Sequence, residues 1–581
     1  MSSPFFGLDI GVSALHTAQQ LLDTAAHNVA NANTKGYSRQ RVSVVQAAPY
    51  TFPAFNRTGL PGQIGSGVTV SSITRVRDTF LDLQVQTQTS LQGEWDTRQQ
   101  ELSKIETIFP EPSTSGLGNV ISKYWSAWQD LASNPTSAAA RTALSEQSAS
   151  LAMEFNRDST QLGMIASGID TQVSQQIITV NDLAKQIASL NGQIQRVTVT
   201  GDHPNDLLDQ RELLIEKLSA IVPATVATHD DGTITVLVGG TDLVSNINAR
   251  QLVASTDASG HTQPTWADGG AVALPSGQMK ALLDVRDQDL AGYRSSLDTL
   301  AKGIADATNA LHRTGVDANG NAGQDLFTYH SGNISGTLAV NTAIAANSQL
   351  IAAAASPNSP GDGSMAGLIA DLQNAKAYSA GVAGVNLVGG MNLTTNTTAR
   401  LTTLDASSAV GQTYTFSSAG PNSITLTGAD GSTQTISLAD MTSGTTQILN
   451  FDQLGIKLTF STDAGPKTAA DLITDLTTPG TNTVVAASIY SPQQTGSDYY
   501  ASLVGRIGTA ASQASEMSSN QQLVVDQLNN RVQQVSGVSL DEEATNMIEY
   551  QHAYQAAARV ITTMDEMLNT LINGTGLVGR G

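Results

Sequence analysis

The sequence predicts a multidomain α+β fold. N- and C-terminal helices form a coiled-coil-like layer, a mainly helical domain is built from both chain halves, and β-rich domains are inserted in the middle. Three observations predict it. Apolar residues step by three and four without a break at both ends of the chain. Further helical spacings flank the centre from both sides, and two central stretches switch to period two. At 581 residues, about four domains are expected.

The N-terminal seam is Leu8, Gly11, Leu15, Ala18, Leu22, Ala25, Val29 and Ala32. Large and small residues alternate along it, and small ones let a partner helix come close. The C-terminal seam is Met547, Tyr550, Tyr554, Ala557, Ile561, Met564, Leu568 and Leu571. Ser539 with Glu542 has the capping-box spacing, which starts this helix; it is expected to stop near Asn573-Gly574. The N-terminal helix is expected to stop near Gly36, which tolerates the left-handed conformation of a helix end. Each seam spans roughly 37 Å at about 1.5 Å per residue. An isolated helix of that kind does not bury its own stripe. The two ends are therefore expected to pack together and then against copies of themselves; packing of each on its own domain is the alternative.

A third seam runs through Leu503, Ile507, Ala510, Ala514, Met517, Gln521, Val524 and Leu528, and a fourth through Val173, Ile177, Val180, Ala184 and Ile187. Ile73, Val76, Phe80 and Leu83 open a helix expected to reach Phe109, where Pro110 and Pro112 end it. Helical character also marks 118–163, 205–221 and 277–313. Period two marks 222–276, where Ile234, Val236 and Val238 follow the hairpin dipeptide Asp231-Gly232. It also marks 384–492, where Tyr414 and Phe416, Ile424 and Leu426, and Ile456, Leu458 and Phe460 alternate, with Asp430-Gly431 as a turn. The expected division is a terminal helical region at 1–65 and 536–581 and a mainly helical domain at 66–221, 277–330 and 493–535. A small β segment at 222–276, a loop-rich connection at 331–383 and an inserted antiparallel β domain at 384–492 complete it.

Composition removes several function classes. With 29 basic against 50 acidic residues the net charge is −21, and no basic stripe is present. This argues against a nucleic-acid partner and against an anionic membrane surface. No cysteine is present, so disulfides, zinc–thiolate sites and thiol nucleophiles are excluded. No apolar run approaches the roughly 18–20 residues of a membrane span, and the first residues lack the basic start of a cleaved signal. Aromatic residues at 5% suit helix seams and polar sheets better than an aromatic-lined pocket.

No catalytic constellation emerges. The eight histidines are scattered. His16 and His27 lie on the N-terminal helix. His312 closes a helix, where a dipole contact is expected, and His229-Asp230-Asp231-Gly232 reads as a turn before a strand. Asp317, Asn319 and Asn321 begin like a calcium loop, but Ala322 stands where that loop needs Gly and Thr328 where it needs Glu. Asp541, Glu542 and Glu543 at a helix start offset its macrodipole. No phosphate-binding or nucleophile motif occurs. The expectation is a structural protein, not an enzyme, with no catalytic residue, cofactor or metal.

His27 to Ser38 reads HNVANANTKGYS. Asn28, Asn31 and Asn33 can bond backbone groups as the helix ends, and Gly36 permits the reversal. This segment resembles the N-terminal signature of the flagellar axial proteins, the family of rod, hook and junction subunits. The run Leu540-Asp541-Glu542-Glu543, followed by Tyr550-Gln551 and Ala553-Tyr554-Gln555-Ala556-Ala557-Ala558-Arg559-Val560-Ile561, resembles the hook-associated (junction) members. So does Asn205-Asp206-Leu207-Leu208-Asp209-Gln210-Arg211 with Gly277-Gln278-Met279-Lys280. The resemblance covers both ends, about 200–330 and about 355–380, but not 384–492.

It implies a structural subunit of the bacterial flagellum that assembles with itself into a ring joining hook to filament. Its terminal helices would stay unpaired until neighbours supply partners. The implied partners are its own copies, the hook protein, the next hook-associated junction protein toward the filament, and a cytosolic export chaperone on the C-terminal helix. Such a chaperone would cover an otherwise exposed apolar stripe. Secretion would run through the flagellar export apparatus, without a cleaved signal, to an extracellular site. Leu8, Leu15, Leu22, Val29, Met547, Tyr554, Ile561 and Leu568 would carry subunit packing. Asn28, Asn31, Asn33, Gly36, Tyr37, Leu540, Asp541, Glu542, Tyr550, Gln551 and Tyr554 would form the family motif. The alternatives are a hook or distal-rod subunit of the same family, or a surface adhesin or hydrolase domain carried by 384–492, a segment without His or Glu.

Overall fold

The computed structural model describes residues 6–49, 65–114, 116–374, 377–379, 399–405, 413–428, 431–442, 446–451, 453–454, 456–462, 466, 468–477, 483–488 and 494–574. In chain order the elements are α1 (Phe6–Ala30), β1 (Gln40–Gln46), β2 (Val68–Arg75), α2 (Thr79–Glu106), α3 (Leu117–Ser133), α4 (Ala138–Thr198), α5 (Asn205–Ile221), β3 (Ala224–Thr228), β4 (Ile234–Val238), β5 (Thr241–Ser245), β6 (Asn248–Ala249), β7 (Leu252–Thr256) and β8 (Thr262–Trp266). There follow α6 (Gln278–Asp284), a π-helical stretch (Val285–Leu290), α7 (Ala291–His312), β9 (Phe327–Thr328), α8 (Ile334–Thr337), β10 (Ala339–Val340), α9 (Thr342–Ala346), α10 (Ser364–Asp371), β11 (Ala377–Ser379), β12 (Ala399–Asp405), β13 (Thr413–Gly420), β14 (Ser423–Gly428) and β15 (Thr433–Ser437). β16 (Thr446–Phe451), β17 (Ile456–Thr462), α11 (Ala469–Thr477), β18 (Thr483–Ser488), α12 (Gly496–Ser536) and α13 (Leu540–Gly574) complete the chain. The fold is multidomain α+β, with long terminal helices and a β-rich middle. It divides into two compact units, one of residues 1–100, 169–284 and 513–581, the other of 101–168 and 285–512.

In the first unit β1 pairs antiparallel with β2, from Gln40 opposite Arg75 to Gln46 opposite Val68, with a bulge at Ser43/Val44. Ile73 is thus in a strand and does not open a helix, as its spacing to Phe80 and Leu83 suggested. The β-branched run before it fits a pleated surface, and the helix begins only after Asp78, whose Oδ1 accepts the Phe80 N–H at 2.9 Å as a cap does. Phe80 is 65% exposed, so the apparent stripe is not a buried one. α2 also ends at Glu106, short of Phe109. The fourth seam is core: Val173, Ile177, Val180, Ala184 and Ile187 are all buried. β3 to β6 form a four-stranded antiparallel sheet whose inner face is Ile234, Val236 and Val238. The turn before β4 puts Gly232 at φ 81°. The third seam drifts by one residue. Beyond Ile507 the buried row passes through Ala511, Ala514, Gln521 and Val525 instead of Ala510 and Val524, because a straight helix advances by 3.6 residues per turn, not 3.5.

In the second unit Tyr124, Trp128, Phe155, Leu297, Leu300 and Phe327 are fully buried or nearly so. His312 closes α7, as expected, but it sits among them with partners outside that helix. It is 0% exposed, stacks edge-on against Trp128, bonds the Gln324 carbonyl through Nδ1 and accepts the Ala352 N–H at Nε2, 2.8 Å away. Those partners define a neutral ring protonated on Nδ1. The loop after it is closed by Asp317, which accepts the N–H groups of Asn319 and Asn321 at 2.8 Å each.

The β-rich stretch holds a five-stranded sheet of order β11-β18-β13-β14-β15 and a three-stranded sheet of order β12-β17-β16, with antiparallel pairing. Gly431 turns between β14 and β15 at φ 85°; Asp430 and the Tyr414 side chain lie outside the described residues. One element departs from the expected strands. α11 buries Ala469, Leu472, Ile473 and Leu476 and starts with a reciprocal cap, the Thr468 N–H on Asp471 at 3.2 Å and the Asp471 N–H on Thr468 Oγ at 3.2 Å.

Two buried groups of this unit titrate in opposite directions. Burial pushes His312 down to about 4, so the folded state resists its protonation. This stability is complete above about pH 6.5 and is lost as pH falls to about 4. Burial pushes Asp158 up to about 7 even though Arg157 lies 3.1 Å away, since that cation is half in solvent. Charging Asp158 therefore costs stability above pH 7, and the cost is relieved as pH falls toward 4. Each contribution is on the order of 3 kcal/mol. In denaturant titrations from pH 8 to pH 4, the gap between wild type and His312→Asn is expected to narrow on acidification. Wild type is expected to gain on Asp158→Asn over the same range.

Candidate assembly site

α1 and α13 run antiparallel and in close contact. A Cβ built on Gly7 would come 2.2 Å from Met564 Cε, and one on Gly11 would come 2.9 Å from Ile561 Cγ1. The seam splits into two rows. Gly11, Ala18 and Ala25 are buried, together with Thr17, Thr24 and Asn28. Thr17 and Thr24 satisfy their hydroxyls on the Ser13 and Gln20 carbonyls of their own helix. Leu8, Leu15 and Leu22 are only half-buried and Val29 is 37% exposed. On α13, Glu543 and Ala557 alone are buried among the described residues. Met547, Tyr550, Ile561, Met564 and Leu568 are half-buried, Gln551 is exposed and Tyr554 borders on exposed. Leu571 falls among side chains outside the described ones. Leu540, Ile548, Val560 and Met567 add further exposed apolar surface. The small row sets the close approach, and the large row then straddles the edge of the contact. The ends are therefore paired within the one chain, where the resemblance implied helices unpaired until neighbours arrive.

The turn after α1 ties this pair down. α1 stops at Ala30, before Gly36, and the Asn31 side-chain Nδ2 folds back onto the His27 carbonyl at 3.1 Å. Gly36 instead takes φ 84° in the following turn, against Leu213. Asn28, 1% exposed, works as a substitute strand: Nδ2 donates to the Gln40 carbonyl and Oδ1 accepts the Gln40 N–H, both at 2.9 Å, and the Tyr37 hydroxyl at 2.8 Å. Asn33 is exposed.

Asp209 is the centre of the knot. Its buried carboxylate accepts the Ser38 N–H, the Ser38 hydroxyl and Arg75 Nη1, each at 2.8 Å. Arg77 stands 3.7 Å away and forks onto Asp82. Arg39 reaches the other terminus. Its N–H donates to the Ser536 carbonyl at 2.8 Å, its Nε to Glu543 at 2.7 Å and its Nη1 to Glu542 at 2.9 Å. Ser539 caps α13 by accepting the Glu542 N–H at 3.4 Å. The Glu542 carboxylate goes to Arg39, so only half of the expected capping box forms. Asp541 is exposed. Asn205 donates to the Ile73 carbonyl at 2.8 Å. Arg211 donates to Asn191 at 2.9 Å and the Gly232 carbonyl at 2.7 Å, and burial brings its pKa down to about 10. Burial, together with Asp206, Asp209 and Glu543, pushes the Tyr37 phenol well up, so it stays protonated and keeps its bond to Asn28.

The HNVANANTKGYS, NDLLDQR and LDEE segments, far apart in sequence, thus meet in one place. Family models match the same regions: flagella basal body rod protein over 8–37, the helical domain of flagellar hook-associated protein FlgK over 102–327, and the C-terminal region of flagellar basal body rod FlgEFG protein over 532–574. Flagellar hook-associated protein 1 of Escherichia coli (strain K12) is 31% identical, covering 97% of this chain and 98% of its own. That of Bacillus subtilis (strain 168) is 30% identical over the whole of both chains. The chain belongs to the flagellar hook-associated protein 1 family. The solved structure of the flagellar hook junction protein FlgK from Burkholderia pseudomallei shares the fold, with a TM-score of 0.52 at 20% identity over 78% of this chain and all of that one. Membership makes the chain a structural component of the bacterial flagellum. Among the described residues no helix is long and apolar enough to cross a membrane.

Asp209→Ala leaves Arg75 and the Ser38 groups without their acceptor, and is expected to cost about 3–5 kcal/mol in denaturant unfolding, against about 1 kcal/mol for Ser38→Ala. Gly11→Val drives a branched side chain into Ile561 and is expected to cost about 1–3 kcal/mol. Adding Ile561→Ala should restore part of that loss, measured as protection of α13 from trypsin at Arg559.

Proposed function

We propose that this chain is the junction subunit that forms a ring between hook and filament, its segments 1–65 and 536–581 acting as the assembly region. One observation carries the reading: the small residues of α1 pack against Ala557, Ile561 and Met564 of α13, and Leu8, Leu15, Leu22, Val29, Tyr554 and Leu568 stay partly uncovered in a continuous helical layer. Surfaces of that kind are completed by other subunits. Copies of the chain, the hook protein below and the next hook-associated protein above are the partners that fit it. A cytosolic export chaperone on α13 would cover Ile548, Val560 and Met567 before assembly, and export would use the flagellar channel without a cleaved signal.

A hook or rod subunit is the second reading, favoured by the rod-family matches at both termini. The match of the helical domain over 102–327 supports the junction member instead. Removing 540–581 is expected to abolish incorporation at the hook tip. Purified truncated protein should keep the cooperative unfolding of the second unit, which uses none of those residues. A truncated chain that still joins hook to filament would sink the proposal.

A further inference from the structure

The chain passes between its two compact units at 100/101, 168/169, 284/285 and 512/513. The first, second and last passages lie inside the uninterrupted helices α2, α4 and α12, and the third lies where α6 gives way to the π-helical stretch before α7. Continuous helices are stiff connectors. Three of the helices at these passages, α4, α7 and α12, carry the same departure from stiffness. Each carries it inside the second unit, within about two turns of the passage.

In α4 the Ser167 hydroxyl donates to the Gly163 carbonyl at 3.1 Å. In α7 Ser296 donates to Gly292 at 2.9 Å, and in α12 Thr509 donates to Gly505 at 2.8 Å. Each hydroxyl competes for the carbonyl that its own backbone N–H uses in the helix, and such back-bonding loosens and bends helices. The back-bond itself is common in this chain. Its pairing with a glycine marks these three, because glycine weakens a helix interior. Packing does not ask for glycine at any of them: a Cβ on Gly163, Gly292 or Gly505 would meet nothing within 4 Å. Gly93 of α2 is the contrast, since a Cβ there would come 2.3 Å from the Ala220 carbonyl oxygen. Gly168 and Gly508, equally free of such neighbours, stand next to Ser167 and Thr509. The π-helical stretch Val285–Leu290 leads into α7. Glycine beside a hydroxyl residue and π-turns are among the places where helices kink.

The three weak turns share one level of the second unit. Arg506 Nη2 donates to Ser296 Oγ at 2.8 Å and so joins α12 to α7. Burial first, then the nearby Glu111 and Asp158 carboxylates, raise the Tyr500 phenol, which sets α12 beside α4. Gly163 and Gly505 follow Asp158 and Tyr500 by the same number of residues. On the inner faces Leu162, Leu297 and Ile507 stay buried, so the helices can yield at these turns without coming apart.

We propose that these turns of α4, α7 and α12 form one bending zone, a hinge through which the two units move against each other without either unfolding. The inference stands on this chain alone and does not rest on the ring-forming reading.

The test uses the full chain with one spin label in each unit, at Ile247→Cys and Ser331→Cys, there being no native cysteine. Both positions are exposed. Ile247 lies beside Gly192 of α4, and Asn333, close to Ser331, accepts a bond from Ser159 of the same helix. The labels are therefore about 50 Å apart at about 1.5 Å per residue, within reach of pulsed dipolar spectroscopy. In the variant Gly163→Ala, Gly292→Ala, Gly505→Ala the width of the distance distribution is expected to fall by about half. Its melting temperature is expected to rise, because alanine favours the helix and meets no neighbour. Hydrogen exchange in the turns after 163, 292 and 505 is expected to be faster than in the flanking turns of wild type, and to slow in the variant. A rise in melting temperature with an unchanged width would be helix propensity alone and overturns the proposal. So does exchange in wild type that is no faster at these turns than beside them.

Discussion

Ser38 gives both its N–H and its hydroxyl to the carboxylate of Asp209, and Arg75 closes on the same group from β2. Much else follows from that arrangement. It fixes the turn after α1, and through Asn28 and Gln40 it fixes the angle at which α1 leaves the strand pair. The next residue, Arg39, carries the constraint to Glu542 and Glu543 at the start of α13. A buried carboxylate with one of its donors removed is strongly destabilising, whereas a fully satisfied one mainly enforces a unique geometry. For a subunit that has to present two helices in a defined direction, that geometry is the useful product.

The helix pair then divides its apolar residues by size. Glycine and alanine at positions 11, 18 and 25 allow the backbones to approach, and the contact they make is narrow. The leucines of the same seam end at its margins, half covered. A pair built the other way round, with leucines between the helices, would bury more surface within the chain and leave less for a neighbour. About 25 cal/mol per Å2 of apolar surface remains to be gained where those margins are covered by another subunit. Intramolecular order thus draws on one row of the stripe, and the proposed assembly on the other.

The terminal elements were legible because a three-and-four spacing has few other meanings over a span of this length. The division between rows was not, since spacing marks a stripe without saying which edge faces inward. The drift of the α12 row from Ala510 to Ala511 has the same origin. The knot was half visible. The Asn-rich turn and the acidic start of α13 stood out as motifs, but Arg39, Arg75 and Arg77 carry no local signal that marks them as part of it. Their partners lie more than a hundred residues away in the chain, except for Asp82, and no local pattern announces them. Ile73 was drawn into a helix by a spacing that runs across the Asp78 cap. α11 carried a readable signal, Thr468 with Asp471 three residues on, inside a stretch whose alternation drew attention to strands. His312 gave no sign in sequence that it would be buried.

The central claim is that α1 and α13 pair within a single chain, the small residues of α1 lying against Ile561 and Met564 of α13. The chain contains no cysteine, so a Gly11→Cys, Ile561→Cys variant oxidised in dilute solution tests it directly by the mass of the product on a non-reducing gel. The structure predicts a cross-linked species of monomer mass that migrates faster than the reduced chain. Formation of dimers and larger species alone, with no internally bridged monomer, would contradict it.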